Sequence, residues 1–140
     1  MDELNINSIL KGDNNFPVKI GELKSEVINI LNLNLKPKDI KMYPDRIYHC
    51  EYHKKDFESE NSYQKSLKSI PLIINSPDYI GLSSENNSIS YVKKIAEDTL
   101  VAVRVVEKGS LQFRTMFPIN EHKLNYYLKN GKLQTYTERR

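Results

Sequence analysis

The apolar positions of this chain change rhythm near its middle. Between Glu22 and Leu33 they fall at Leu23, Val27, Ile30 and Leu31, a spacing that suits one helical face. Pro37 ends that run. Residues 1–36 therefore read as an N-terminal helical arm, preceded by the polar stretch Lys11-Gly12-Asp13-Asn14-Asn15. Ile40–Tyr43 is a candidate short strand. A helix is predicted from Pro44 to about Asp56, with proline in the first turn, where its missing N–H costs nothing. Another is predicted from Tyr63 to Ile74, with Leu67, Ile70 and Ile74 along one side and Pro71 kinking or dividing it.

After Asn75-Ser76-Pro77 the period becomes strand-like. Tyr79–Leu82, Ile89–Ile95, Thr99–Val106 and Leu111–Phe117 are predicted strands, with a Ser/Asn-rich turn at Ser83–Asn87. The last two strands are the richest in β-branched and aromatic residues, and Lys108-Gly109-Ser110 joins them as a hairpin turn. Asn120–Lys129 is predicted as a helix, capped by Asn120 and ended by Asn130-Gly131. Leu133–Thr137 is placed as an edge strand. The expected class is α+β: N-terminal helices packed on one face of an about four-stranded antiparallel sheet, with a C-terminal helix, all within residues 37–140.

Alternation along the hairpin points to an open face. A three-residue loop brings Val101, Val103 and Val105 onto the same side as Leu111, Phe113 and Phe117, facing the helices. Arg104 and Arg114 then meet on the opposite side, nearly cross-strand, with Gln112 and Met116. Like charges in that position repel unless an anion lies between them. Either the two guanidinium groups form a phosphate clamp, or each is solvated beside an acid.

His49 and His53 lie four apart on the predicted Pro44–Asp56 helix, with Arg46 and Cys50 beside them. Three readings compete. A metal site would need a further ligand, and the Glu of a zinc-protease motif is missing, because Cys50 follows His49. General acid–base chemistry suits two imidazoles that titrate near neutral pH. Cleavage of RNA by its own 2′-hydroxyl needs a base, an acid and positive charge for the phosphorane, which two histidines and two arginines supply. The third reading is that both histidines are merely structural. On the last helix, Lys123 and Tyr126 could meet phosphate and base, but Leu124, Tyr127 and Leu128 read more simply as core. Lys93-Lys94 and Arg139-Arg140 would add to a basic rim.

Composition narrows the class. The 140 residues fit one domain, and 39% hydrophobic content is enough for a core. No apolar run approaches the roughly 20 residues needed to span a bilayer. The acidic start, Met1-Asp2-Glu3, does not resemble a secretory leader, and a lone cysteine, Cys50, forms no internal disulfide. A cytoplasmic location without membrane association is expected. A net charge of +3 admits a nucleic-acid partner without demanding one. All five glycines are isolated, so no phosphate loop for a nucleotide cofactor is present and none is expected.

Several stretches taken in order carry a family likeness. They are Tyr43-Pro44-Asp45-Arg46 through His49, His53 and Asp56-Phe57; Ile70-Pro71, Ile74 and Ser76-Pro77-Asp78-Tyr79-Ile80-Gly81; Val101-Ala102-Val103-Arg104; Phe113-Arg114-Thr115-Met116-Phe117-Pro118; and Lys123-Leu124 through Gly131. Together they resemble the phage-associated branch of the barnase–EndoU–colicin–RelE nuclease superfamily, over about residues 40–136. The resemblance implies a bacterial or phage-encoded, metal-independent endoribonuclease acting on tRNA or other structured RNA, in a toxin or phage–host conflict role. It implies that His49, His53, Arg114 and Thr115 match the family's active positions, and that one sheet face binds RNA. Arg104 joins the catalytic candidates, and Arg46, Gln112, Lys123 and Tyr126 the substrate-binding ones. Strict alternation would bury Thr115, so either a bulge turns it outward or it is structural. A cognate inhibitor or another phage or host protein is a further expected partner. The alternative function is a non-catalytic RNA- or protein-binding module on the same scaffold.

Overall fold

The structure is a computed structural model that describes residues 17–83 and 87–136. The Lys11–Asn15 stretch, the middle of the Ser83–Asn87 turn and the Arg139-Arg140 pair lie outside the described residues.

The chain forms β1 (Val18–Leu23), α1 (Ser25–Leu31), β2 (Lys38–Met42) and α2 (Asp45–Cys50), followed by a 3₁₀ segment (Glu51–Asp56). Then come α3 (Glu60–Lys68), α4 (Ile70–Asn75), β3 (Tyr79–Ser83), β4 (Ser88–Lys94), β5 (Asp98–Arg104), β6 (Leu111–Pro118), α5 (Glu121–Lys129) and β7 (Gln134–Thr135). The class is α+β, but the expected four-stranded antiparallel sheet is corrected to one of seven strands in the order β1-β2-β6-β5-β4-β3-β7. The sheet is mixed, because β2 runs parallel to β6. The helices are interspersed among the strands rather than gathered before them.

The physical reason lies in β1. Its register against β2 slips between Lys19 and Gly21, and this bulge spaces the buried Ile20 and Leu23 three apart. Three-residue spacing mimics a helical face, so the strand is hidden in the sequence. The true helix is the short stretch Ser25–Leu31, with Val27 buried. Gly21 lets α4 lie close on β1, since a Cβ there would stand 2.9 Å from Ile74 Cγ2.

Elsewhere the expected elements form for the expected reasons. The predicted helix over residues 63–74 divides at Pro71, which sits in the first turn of α4. The Asn120 side chain accepts from the Lys123 N–H at 2.7 Å and starts α5. Ser59 caps α3 in the same manner through Ser62 N–H, at 3.0 Å.

Two hydrophobic layers sandwich the sheet. The larger holds Leu23, Ile40, Met42, Ile47, Cys50, Leu67, Ile73, Tyr91, Val101, Val103, Phe113 and Met116, among others. Each fully buried aliphatic or aromatic side chain of this kind stabilises by about 1.5–3 kcal/mol. The smaller layer covers part of the other face: Val92, Leu100, Ala102, Ile119, Leu124 and Leu133, with Phe117, Tyr127 and Leu128 packed against it. The bare sheet face expected from alternation is therefore bare only in part. α5 and the turn after it cover one end. Gly81 admits that turn, because a Cβ there would fall on the Lys132 carbonyl oxygen.

Candidate active site

The site forms where β6 loses its neighbour. β2 pairs with β6 only at Leu111 and Gln112. Beyond that point the β6 edge would expose unpaired N–H and C=O groups. Instead α2 and the 3₁₀ segment pack along it. Ile47 and Cys50 turn inward to the larger core, while Arg46 bonds to the β6 backbone and the His53 ring stands beside Phe117 of the same strand.

A bulge in β6 sets the chemistry. Against β5, Phe113 pairs with Val103 and Thr115 with Ala102, so Arg114 is the inserted residue. A bulge leaves one residue outside the ladder and re-aims its side chain. Here the Arg114 carbonyl is claimed by Arg46, whose Nε donates at 2.9 Å and whose Nη2 donates to the same oxygen. This contact pins α2 to β6. Replacing Arg46 by Ala, or by Lys, which cannot reproduce the two-pronged contact, should destabilise the fold by roughly 1.5–3 kcal/mol, and cleavage should fall with it. Denaturant melts alongside rate measurements would check both.

The bulge also corrects the expected faces. Residues after it change sides, so Met116 is buried in the larger core, and Phe117 joins Leu100 and Ala102 on the other face. Thr115, which simple alternation would bury among the helices, shares the outer face with Ala102. Its Oγ1 is nonetheless fully desolvated and has no hydrogen-bond partner among the described residues. The hairpin loop is longer than expected, since β5 ends at Arg104, and Gly109 in it takes a positive φ of 78°.

Arg104 and Arg114 are not direct cross-strand partners. Arg104 pairs with Gln112 on one side and Ser88 on the other. The two arginines still converge, because both line one groove of about 750 Å³ with Arg46, Gln112, Tyr43 and Asp45. Arg114 Nη1 donates to Ser88 Oγ at 3.2 Å, which orients its guanidinium.

The predicted 44–56 helix changes its winding at Cys50–Glu51, from α to 3₁₀. The two histidines remain neighbours, with ring centroids 6.0 Å apart. The His53 Nδ1 lies 3.2 Å from Asp56 Oδ2, and its ring stands 5.8 Å from that of Phe117. Both contacts fix the ring and leave Nε2 for other work. Burial first, and then the charges of Arg46, His53 and Arg114, hold the His49 imidazole below the usual histidine range, against a smaller opposing pull from Asp45. Neither histidine lines the arginine groove itself; the link between them and it is Arg46, three residues before His49 on α2.

Cys50 is fully buried in the larger core. Burial pushes its thiol up to about 12, although a hydrogen bond from the Met116 backbone opposes the shift. Among the described residues, no group of three or more His, Cys, Asp or Glu side chains is arranged to hold a metal ion. No described helix is long and apolar enough to cross a membrane.

The remaining candidates lie apart. Tyr126 is exposed on α5 and lines neither arginine-bearing cleft. Lys123 stands 5.6 Å above the Tyr127 ring and lines, with His53 and Asp56, a hollow separate from the arginine groove. Leu124, Tyr127 and Leu128 belong to the smaller core, as the simpler reading of that helix has it. The sequence reading missed the parts played by Asp56, Ser88 and Tyr43. Asp56 had a signal, since it follows His53 by three residues in a helical stretch. Ser88 had none, because it meets Arg114 only through pairing across β5.

No curated protein and no solved structure matches the chain. A family model described as phage-Barnase-EndoU-ColicinE5/D-RelE like nuclease3 matches residues 18–126, from β1 through most of α5, and so includes every side chain of the site. The chain belongs to this family of phage-associated nucleases.

Proposed function

We propose that the protein is a metal-independent endoribonuclease acting on structured RNA such as tRNA, in a toxin or phage–host conflict role. The observation that carries this reading is the pairing of His49 and His53, ring centroids 6.0 Å apart, on the segment whose Arg46 clasps the Arg114 backbone and lines one groove with Arg104 and Arg114.

The reaction follows from these parts. His49, neutral at physiological pH, takes the proton from a ribose 2′-hydroxyl. The 2′ oxygen attacks the adjacent phosphorus, forming one P–O bond. The bond to the 5′ oxygen of the next nucleotide breaks, and His53, held by Asp56, serves as the acid that gives that oxygen a proton. Arg114 and Arg104 stabilise the extra negative charge on the phosphorane. Arg46 acts as a positioning residue, since the Arg114 carbonyl occupies two of its nitrogens. The products are a 2′,3′-cyclic phosphate and a 5′-hydroxyl.

A pH dependence follows from the direction of the His49 shift. A base with a lowered pKa stays competent as the medium becomes mildly acidic. The acidic limb of kcat/KM should therefore fall below about pH 6.5, the ordinary histidine value. Stability carries the same sign. The unfolded chain binds more protons at this residue, so the folded state loses stability only as pH drops below about 6.5. His49→Gln should remove that loss, as acid titrations of both proteins by circular dichroism would register.

The function itself is tested with paired substrates in EDTA: a structured RNA, and the same RNA carrying 2′-deoxyribose throughout. The first should be cut and the second left intact. Cleavage of both, or cleavage only when divalent metal is restored, overturns the reading. Binding without any cleavage would favour a non-catalytic module.

A further inference from the structure

A second cleft adjoins the arginine groove, with Arg114 on the wall of both. Its volume is about 570 Å³, within the roughly 300–1,000 Å³ typical of small-molecule sites. One side is aromatic, with Phe117 from β6 and Tyr127 from α5. Ser90 and Thr115 line the cleft as well. Lys132 stands at the rim, its Nζ 5.4 Å from the Tyr127 ring centre.

Arg114 Nη1 donates to Ser88 Oγ, and Ser88 lines this cleft as well, so the guanidinium that faces the arginine groove also borders the aromatic pocket.

We propose that this cleft is a nucleobase subsite. It takes the base of one unpaired nucleotide next to the phosphate held at Arg114, stacks it against Phe117 and Tyr127, and meets its polar edge with Ser90 and Lys132. The inference rests on the nuclease reading for its substrate. Flat aromatic walls with a few hydroxyls match a base better than a peptide, because a base offers a π face and a hydrogen-bonding edge in one plane. The phosphate fixes the register through Arg114. The strand then runs from the arginine groove, over the β6 bulge, and into the cleft. The protein therefore selects its cleavage site by base identity as well as by RNA shape.

Binding tests this independently of cleavage. The purified chain is titrated with the four nucleoside 5′-monophosphates and with ribose 5-phosphate, which lacks a base, and followed by calorimetry. At least one nucleotide should bind about tenfold or more tightly than ribose 5-phosphate. Ser90→Ala should narrow the spread among the four, and Tyr127→Leu, which keeps an apolar side chain in the smaller core, should erase the advantage of having a base. If all four nucleotides bind within about twofold of ribose 5-phosphate, or if none of the five binds, the subsite does not exist. Equal binding alongside intact RNA cleavage would overturn the subsite and leave the nuclease standing. Base-dependent binding without cleavage would do the reverse.

Discussion

Replacing His49 or His53 by Ala should lower RNA cleavage by about 10²–10⁴-fold, the range associated with losing a general acid or base. The fold should barely notice. Both rings are half-buried, and neither belongs to the larger or the smaller core. The His53 ring touches Asp56 and Phe117 at the surface, and His49 lies near the Tyr52 ring at 5.9 Å. Thermal melts should stay close to those of the parent, so loss of activity would report chemistry. Residues that act as one catalytic unit do not add. The double variant should therefore be little worse than the poorer of the two single ones. Single-turnover rates on a fluorescent RNA would measure all three. A His49→Ala protein that still cuts at parental rate removes the base from the mechanism, and with it the link between the lowered pKa and function.

The second large effect is expected at Arg114. Its guanidinium faces the groove from the bulge, and Arg104 approaches from the neighbouring strand. Charge that develops on a phosphorane is stabilised most by donors already fixed in place, and removing one such donor costs about 10²–10³-fold in kcat. Arg114→Ala should show that loss in kcat. Its backbone carbonyl remains to accept from Arg46, so the clasp between α2 and β6 survives the substitution. Arg114→Lys should recover only part of the rate, because an ammonium cannot present the planar fork. Arg104 is more exposed, and Arg104→Ala should act mainly on KM. Equal effects at both positions, confined to KM, would mean that the groove binds phosphate without stabilising the transition state.

Much of this arrangement was legible along the chain, and the failures share one cause. Period-two runs marked β3 to β6, Asn120 marked the start of α5, and Pro71 marked the break between α3 and α4. The His49–His53 pair and Arg46 followed from helical spacing, which survives the change to 3₁₀ winding at Cys50–Glu51. Bulges were not legible. The slip at Lys19/Gly21 disguised β1 as helix, and the insertion of Arg114 moved Phe117 and Met116 to opposite faces from those that alternation assigns. A bulge adds one residue to one strand only, so it shows in the pairing and not in either strand alone. The parallel docking of β2 on β6 was hidden for a related reason. It joins strands separated by most of the helices, and β2 contributes only Ile40 and Lys41 to the contact. Tyr127 was read as core and is core, but its ring also walls a cleft, a role that no spacing along α5 announces.

The most direct test of a 2′-hydroxyl attack driven by His49 is the chemistry of the cut ends. Structured RNA is incubated with the protein in EDTA, and the termini are mapped. A 2′,3′-cyclic phosphate paired with a 5′-hydroxyl, formed by the parent and missing with His49→Ala, is the expected result. Termini bearing 3′-hydroxyl and 5′-phosphate would contradict the account, because they require water rather than the ribose itself as the attacking group.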